Sequence, residues 1–277
     1  MTSPRIGLLG AGHMGRALIA ALLRSGGKPE DISVGEPLAA ARGALAHEFG
    51  VQASGDNGAA IAQADIVVLA VKPQQMAQVL APLRSLLNAR CPVVLSIAAG
   101  IRIADLQHWC GSKVAVIRAM PNRPALVGAG ATGLFAPDEV GAAARALAER
   151  VMRSCGAVVW VPREELIDVV TALSGSGPAY FFLLAAAMAD AGAQLGLSPE
   201  TARELAIATL HGAGLMATKS DGDLARLRAE VTSKGGTTEA ALTVFDDAQL
   251  HAIVARALQA AAQRGRALAE QFGRDHG

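Results

Sequence analysis

From the start of the chain to about Val161, short apolar runs alternate with longer segments whose apolar residues recur at helical spacing. The runs are Arg5 to Leu9, Ile32 to Gly35, Asp65 to Val71, Pro92 to Ile97 and Val114 to Arg118. Between them, Met14 to Arg24, Leu38 to Phe49, Gln74 to Leu87 and Ile103 to Trp109 read as amphipathic helices. Strands with so little polar alternation are buried on both faces, which predicts a doubly wound (Rossmann-type) parallel sheet covered by helices. Ligands of such a sheet gather at the carboxyl ends of its strands. After Met120, the prolines Pro121 and Pro124 and the glycines Gly128, Gly130 and Gly133 interrupt the pattern, as a loop would. A last helix from Asp138 to Ser154 and a strand from Ala157 to Val161 follow, and Pro162 marks a boundary.

From Glu164 onward the pattern is helical. Ser198 is placed to cap a helix with Pro199 at its first position. The Ala-rich segment Ala248 to Phe272 is amphipathic and is expected to pack on a neighbouring helix or subunit. The organisation expected is therefore a doubly wound α/β domain at 1–162 and an all-helical C-terminal domain at 163–277.

Length and composition agree. The 277 residues, 52% hydrophobic and 18% charged, suit two folded domains and exclude an extended disordered chain. Lysine plus arginine number 25 against 24 acidic residues, and aromatics are 3%, so neither a basic surface nor a stacking platform for nucleic acid is expected. Cys91, Cys110 and Cys155 have neither zinc-site nor CxxC spacing, which predicts free thiols in a reducing, cytoplasmic compartment. The apolar run Tyr180 to Ala189 spans about ten residues where a membrane crossing needs roughly 20, so no membrane span is expected.

The most informative local pattern is Gly10-Ala11-Gly12-His13-Met14-Gly15, which follows the first predicted strand and opens the first predicted helix. In that setting the first glycine allows a tight turn, the second lets backbone N–H groups approach a pyrophosphate, and the third lets helix and strand pack closely. Glu36, at the end of the second strand, can accept hydrogen bonds from an adenosine ribose and would repel a 2′-phosphate, so NADH is at least tolerated. Ala70-Val71-Lys72-Pro73 and the loop holding Ala98 and Ala99 end the next strands, where a nicotinamide would lie. In the second half, Ser174 to Tyr180 places glycines before a helix. Ser233-Lys234-Gly235-Gly236-Thr237-Thr238 reads as a glycine turn entering another helix, which suits either a receptor for a small carboxylate or a flexible loop with a hydroxyl N-cap. The histidines are dispersed without metal-ligand spacing, and no nucleophile or paired acid stands out.

Taken together, the GAGxM turn, AVKP at 70–73, SIAAG at 96–100, MPN at 120–122, LSGSGPAY at 173–180 and VTSxGGTTEAA at 231–241 resemble the pyrroline-5-carboxylate reductase family. The resemblance implies reduction of the imine of L-1-pyrroline-5-carboxylate to L-proline with NADPH, NADH being left open by Glu36. It implies that Thr238 meets the ring nitrogen through its hydroxyl, and that the N–H groups of Gly236, Thr237 and Thr238 hold the carboxylate within the Ser233 to Thr238 loop. Ser176 and Pro178 would be wall residues. It also implies a homodimer of interlocked helical halves that assembles further, as into a decamer. Two departures stand out: Arg123 where the family usually has threonine after MPN, and Lys234 where it often has proline. A β-hydroxyacid dehydrogenase would carry a lysine one turn after the Gly-Ser-Gly segment, where this chain has Phe181. A non-catalytic nucleotide sensor would have no use for the carboxylate loop.

Overall fold

The computed structural model describes residues 3–274. One compact unit comprises the chain up to Ser176 together with the stretch from Ala261, and a second runs from Gly177 to Ala260. This division falls later than Pro162 and returns the end of the last helix to the first unit.

The first unit is built on β1 (Ile6–Leu9), β2 (Ile32–Gly35), β3 (Gln52–Ser54), β4 (Ile66–Leu69), β5 (Val93–Ser96), β6 (Val116–Met120), β7 (Gly130–Phe135) and β8 (Gly156–Trp160). Their spatial order is β3-β2-β1-β4-β5-β6-β7-β8. The strands from β3 to β6 are parallel, β7 runs antiparallel to β6, and β8 is parallel to β7. Leu9 of β1 faces Gly35 on one side and Leu69 on the other. The chain therefore leaves β1 in both directions, and the crevice at the carboxyl ends of β1 and β4 is the switch point where such sheets take ligands. Alternate residues fill two cores: Leu8, Val34, Val68, Leu95 and Ile117 on one face, Leu9, Val67, Leu69, Val94 and Val116 on the other.

Two strands escaped the sequence reading. β3 has three residues, too few to show a period. The region of β7 was expected to be a loop because of its glycines, but these serve packing. A Cβ on Gly133 would lie 2.7 Å from the Val170 side chain, and one on Gly130 2.7 Å from the Cys155 carbonyl oxygen.

The helices of the first unit are α1 (His13–Arg24), α2 (Ala39–Phe49), α3 (Asn57–Ile61), α4 (Met76–Leu80), α5 (Arg84–Arg90), α6 (Ile103–Cys110), α7 (Ala142–Arg153) and α8 (Leu166–Val170). Burial pushes the Cys110 thiol up to about 12 and raises that of Cys155, so both are unreactive packing groups. The second unit holds α9 (Gly177–Gln194), α10 (Pro199–Lys219), α11 (Leu224–Glu230) and α12 (Thr237–Asp247), and α13 (Leu250–Arg274) begins in it. The Ser198 hydroxyl accepts from the Thr201 N–H, the cap expected of it. The far end of α13 packs on the first unit, where Phe272 and Ala269 are buried against Gly100.

The apolar helical run is longer than the ten residues expected from Tyr180 to Ala189. The helical path is continuous from Leu166 to Gln194, 29 residues, long and apolar enough by length and composition to cross a membrane. The Ser-Gly-Ser-Gly stretch does not break it, because residues Thr171–Gly175 form a turn of π-helix that carries the path into α9. Phe181, Phe182 and Leu183 on α9 are 60%, 64% and 72% exposed, an apolar surface that monomeric proteins rarely leave open.

Candidate active site

The switch point holds a cavity of about 740 Å³. Gly10, Ala11, Gly12, Glu36, Ala70, Val71 and Lys72 all line it, so the structure brings together the glycine turn, the end of β2 and the AVKP segment. His13, Met14 and Gly15 form the first turn of α1, and Pro73 opens the 3-10 turn after Lys72. Ala98 and Ala99 lie in the loop after β5 and are not part of this wall.

The turn works as its glycines require. Gly10 has φ +89° and donates its N–H to the Gly35 carbonyl at 2.9 Å. A Cβ on Gly15 would stand 2.5 Å from the Gly10 carbonyl oxygen, so α1 can sit this close only with glycine there. A Cβ on Gly12 would meet nothing within 4 Å, because that position faces open space at the cavity. The Glu36 carboxylate accepts from the Ala11 N–H at 3.3 Å and the Leu38 N–H at 3.1 Å, which holds it beside the turn. Arg42 donates to the Glu36 and Pro37 carbonyls at 2.9 and 2.8 Å. The sequence reading passed over Gly55, Asp56, Asn57 and Gly58, which also line the cavity. Their signal was the polar cluster itself, which reads as a plain helix cap: Asp56 accepts from the Gly58 N–H at 2.8 Å. Gly35 makes room for Asn57, whose side-chain oxygen would clash with a Cβ there.

In the second unit, Ser233, Lys234 and Gly235 form an exposed turn, with Gly235 at φ +71°, and Gly236 is the N-cap of α12. The Gly236 N–H donates to the Ser233 carbonyl at 3.0 Å, so the donor expected to face a carboxylate closes the turn instead. Thr237 and Thr238 keep the N–H groups that a helix start leaves without intrahelical partners. Glu239, which the sequence reading did not single out, accepts from the Gly235 N–H at 2.6 Å and fixes the turn. Ser176 ends the π-turn of the first unit, and Pro178 lies in the first turn of α9. Arg123 and Lys234 are both exposed.

A strand order that reverses beside a glycine turn, a cavity at that point and an acidic side chain closing the next strand define a dinucleotide-binding α/β protein. The chain is 46% identical to the pyrroline-5-carboxylate reductase of Pseudomonas aeruginosa over 99% of its own length and 100% of that protein's. It belongs to the pyrroline-5-carboxylate reductase family. The family model described as pyrroline-5-carboxylate reductase dimerisation matches residues 164–268, and that described as NADP oxidoreductase coenzyme F420-dependent matches 5–100. Among solved structures, the pyrroline-5-carboxylate reductase of Coxiella burnetii is 39% identical, with a TM-score of 0.93, 96% of this chain and 99% of that one being covered. The pyrroline carboxylate reductase of Plasmodium falciparum, solved with NADP bound, is 28% identical with a TM-score of 0.83, covering 97% and 99%.

Proposed function

We propose that the protein reduces L-1-pyrroline-5-carboxylate to L-proline, with NADPH as the first-choice reductant and NADH also accepted. The observation that carries this reading is likeness to pyrroline-5-carboxylate reductases along essentially the whole chain, spanning both the glycine-turn cavity and the Thr237 helix start. The cavity fits a dinucleotide: Gly12 leaves space for a pyrophosphate, and Gly10 to Gly12, Glu36 and Ala70 to Lys72 line the space that would hold it; His13 to Gly15, Pro73, Ala98 and Ala99, outside that lining, are assigned to the cofactor by the family resemblance. When bound, the reduced nicotinamide supplies hydride to the imine carbon, and a proton completes the amine at nitrogen.

The chain's own part is to bind and align. The Thr237 and Thr238 N–H groups, at the positive end of α12, suit the substrate carboxylate. Ser233, Gly235 and Gly236 shape the turn that presents them, and Ser176 and Pro178 serve as wall residues. The Thr238 hydroxyl is assigned to the ring nitrogen, where it donates or accepts as the charge there changes. A protonated imine already accepts hydride well, so no strong general acid is required. Replacing Thr238 by alanine is expected to lower turnover by about 10²-fold, with NADPH affinity little changed. The check is steady-state consumption of NADPH with pyrroline-5-carboxylate, and unaltered turnover would remove Thr238 from the mechanism.

Glu36 governs the choice of reductant. Its carboxylate repels a 2′-phosphate, but screening at a half-exposed site leaves much less than the full Coulomb energy. Glu36→Ser is expected to move the ratio of kcat/KM for NADPH over NADH upward by about tenfold, or roughly 1.4 kcal/mol. An unchanged ratio would place the carboxylate away from the ribose.

The exposed apolar side chains of α9 are read as the seam of a homodimer, in accord with the dimerisation model that covers this region. This reading accounts for the long apolar helix without a bilayer and suits a cytoplasmic enzyme. Assembly of dimers into a decamer is a finer proposal, tested by light scattering.

A further inference from the structure

Resting on the reading of Ser176 as a wall residue, we propose that Asn122 is a positioning residue that sets the path of Ser174 to Ser176. The need for it begins with Pro178. In a regular helix the carbonyl of Ser174 would receive the N–H four residues on, but residue 178 is a proline, which has none and whose ring crowds that carbonyl. The backbone widens into the π-turn Thr171–Gly175, with the Ser176 N–H reaching back to the Thr171 carbonyl at 2.9 Å. Such turns are concentrated at functional sites.

Asn122 answers the freed carbonyl. Its side-chain amide donates to the Ser174 carbonyl at 2.9 Å, and its side-chain oxygen accepts from the Ala131 N–H of β7, also at 2.9 Å. The residue is buried, 8% exposed, where hydrogen bonds are stronger than in water. Asn122 lies two residues beyond the end of β6 at the carboxyl edge of the sheet, the edge on which the glycine turn lies. The root of the same segment is held separately. Glu164 accepts from Arg118 and from the Ile103 N–H, both at 2.8 Å, and Asp168 accepts from Arg102 at 2.6 Å. With the root fixed by ion pairs, loss of the Asn122 amide frees only the end that carries Ser174, Gly175 and Ser176.

The test compares wild type, Asn122→Asp and Asn122→Ser, each as the full chain. At neutral pH the new carboxylate of Asn122→Asp keeps the acceptor for Ala131 but sets a negative charge against the Ser174 carbonyl. The expected result is a fall in kcat of about 20-fold and a rise in KM for pyrroline-5-carboxylate of about fivefold. The Kd for NADPH, measured by fluorescence without substrate, should stay within twofold. Lowering the pH protonates the new carboxyl and restores a donor, so the activity of Asn122→Asp relative to wild type should climb as pH falls. Asn122→Ser has no such group, and its relative activity should stay reduced and flat with pH. The inference is overturned by Asn122→Asp turnover matching wild type, by NADPH affinity falling in step with kcat, or by loss of a native melting transition in both variants. A wild-type protein that does not turn over pyrroline-5-carboxylate overturns the substrate reading itself and this inference with it.

Discussion

Glu164→Ala is expected to lower the stability of the protein by about 3–5 kcal/mol, the largest loss among the substitutions considered. Arg118 is 1% exposed, the largest fully buried side chain among the described residues. Burial pulls its guanidinium down from the usual arginine range, and Glu164 opposes that pull by hydrogen bond and charge. Removing the carboxylate leaves a buried cation with one partner fewer and deprives the Ile103 N–H of its acceptor. At about 2–4 °C per kcal/mol for a domain of this size, the melting temperature should fall by roughly 6–20 °C. Because an oligomer's apparent stability depends on concentration, the comparison belongs at one fixed protein concentration. Pairing Arg118→Met with Glu164→Leu should recover most of the loss, since an apolar pair has no stranded charge. A fall of less than 1 kcal/mol in Glu164→Ala would mean that water or a neighbouring group already solvates Arg118.

Gly12→Val should have the opposite signature, an intact fold with no useful affinity for cofactor. The new side chain would project where no atom lies within 4 Å, so folding should not resist it. It would instead fill the approach that a pyrophosphate needs to reach the start of α1. We expect a melting temperature within about 2 °C of wild type and a Kd for NADPH raised by more than 100-fold, about 2.7 kcal/mol. Gly15→Ala is the control: its Cβ collides with the Gly10 carbonyl, so both melting temperature and affinity should drop. A Gly12→Val protein that binds NADPH as wild type does would show that the dinucleotide does not cross the turn.

What the sequence revealed and what it hid follow from the range of the interactions involved. The glycine turn was legible because its chemistry is local: a strand, a tight turn and a helix start within a few residues. The parallel strands were legible because burial on both faces writes continuous apolar runs. β7 was hidden because glycines that admit Val170 and the Cys155 carbonyl look the same in one dimension as glycines that make a loop. Arg118 and Glu164 stand 46 residues apart, and Asn122 and Ser174 stand 52 apart, so no spacing announces either pair. The bond made by Gly236 was hidden for a subtler reason. The sequence places its N–H at a helix start, but only the geometry of the turn reveals that Ser233 has already claimed it.

The burial of Phe272 against Gly100 bears on biogenesis. On the ribosome, Gly100 emerges long before its cover is synthesised. About a hundred further residues must be added after Ser176, which at 5–20 residues per second takes on the order of ten seconds. Until then the nascent sheet carries an uncovered patch beside the loop after β5, so the nucleotide-binding half can reach its final packing only when nearly all of the helical half has been translated.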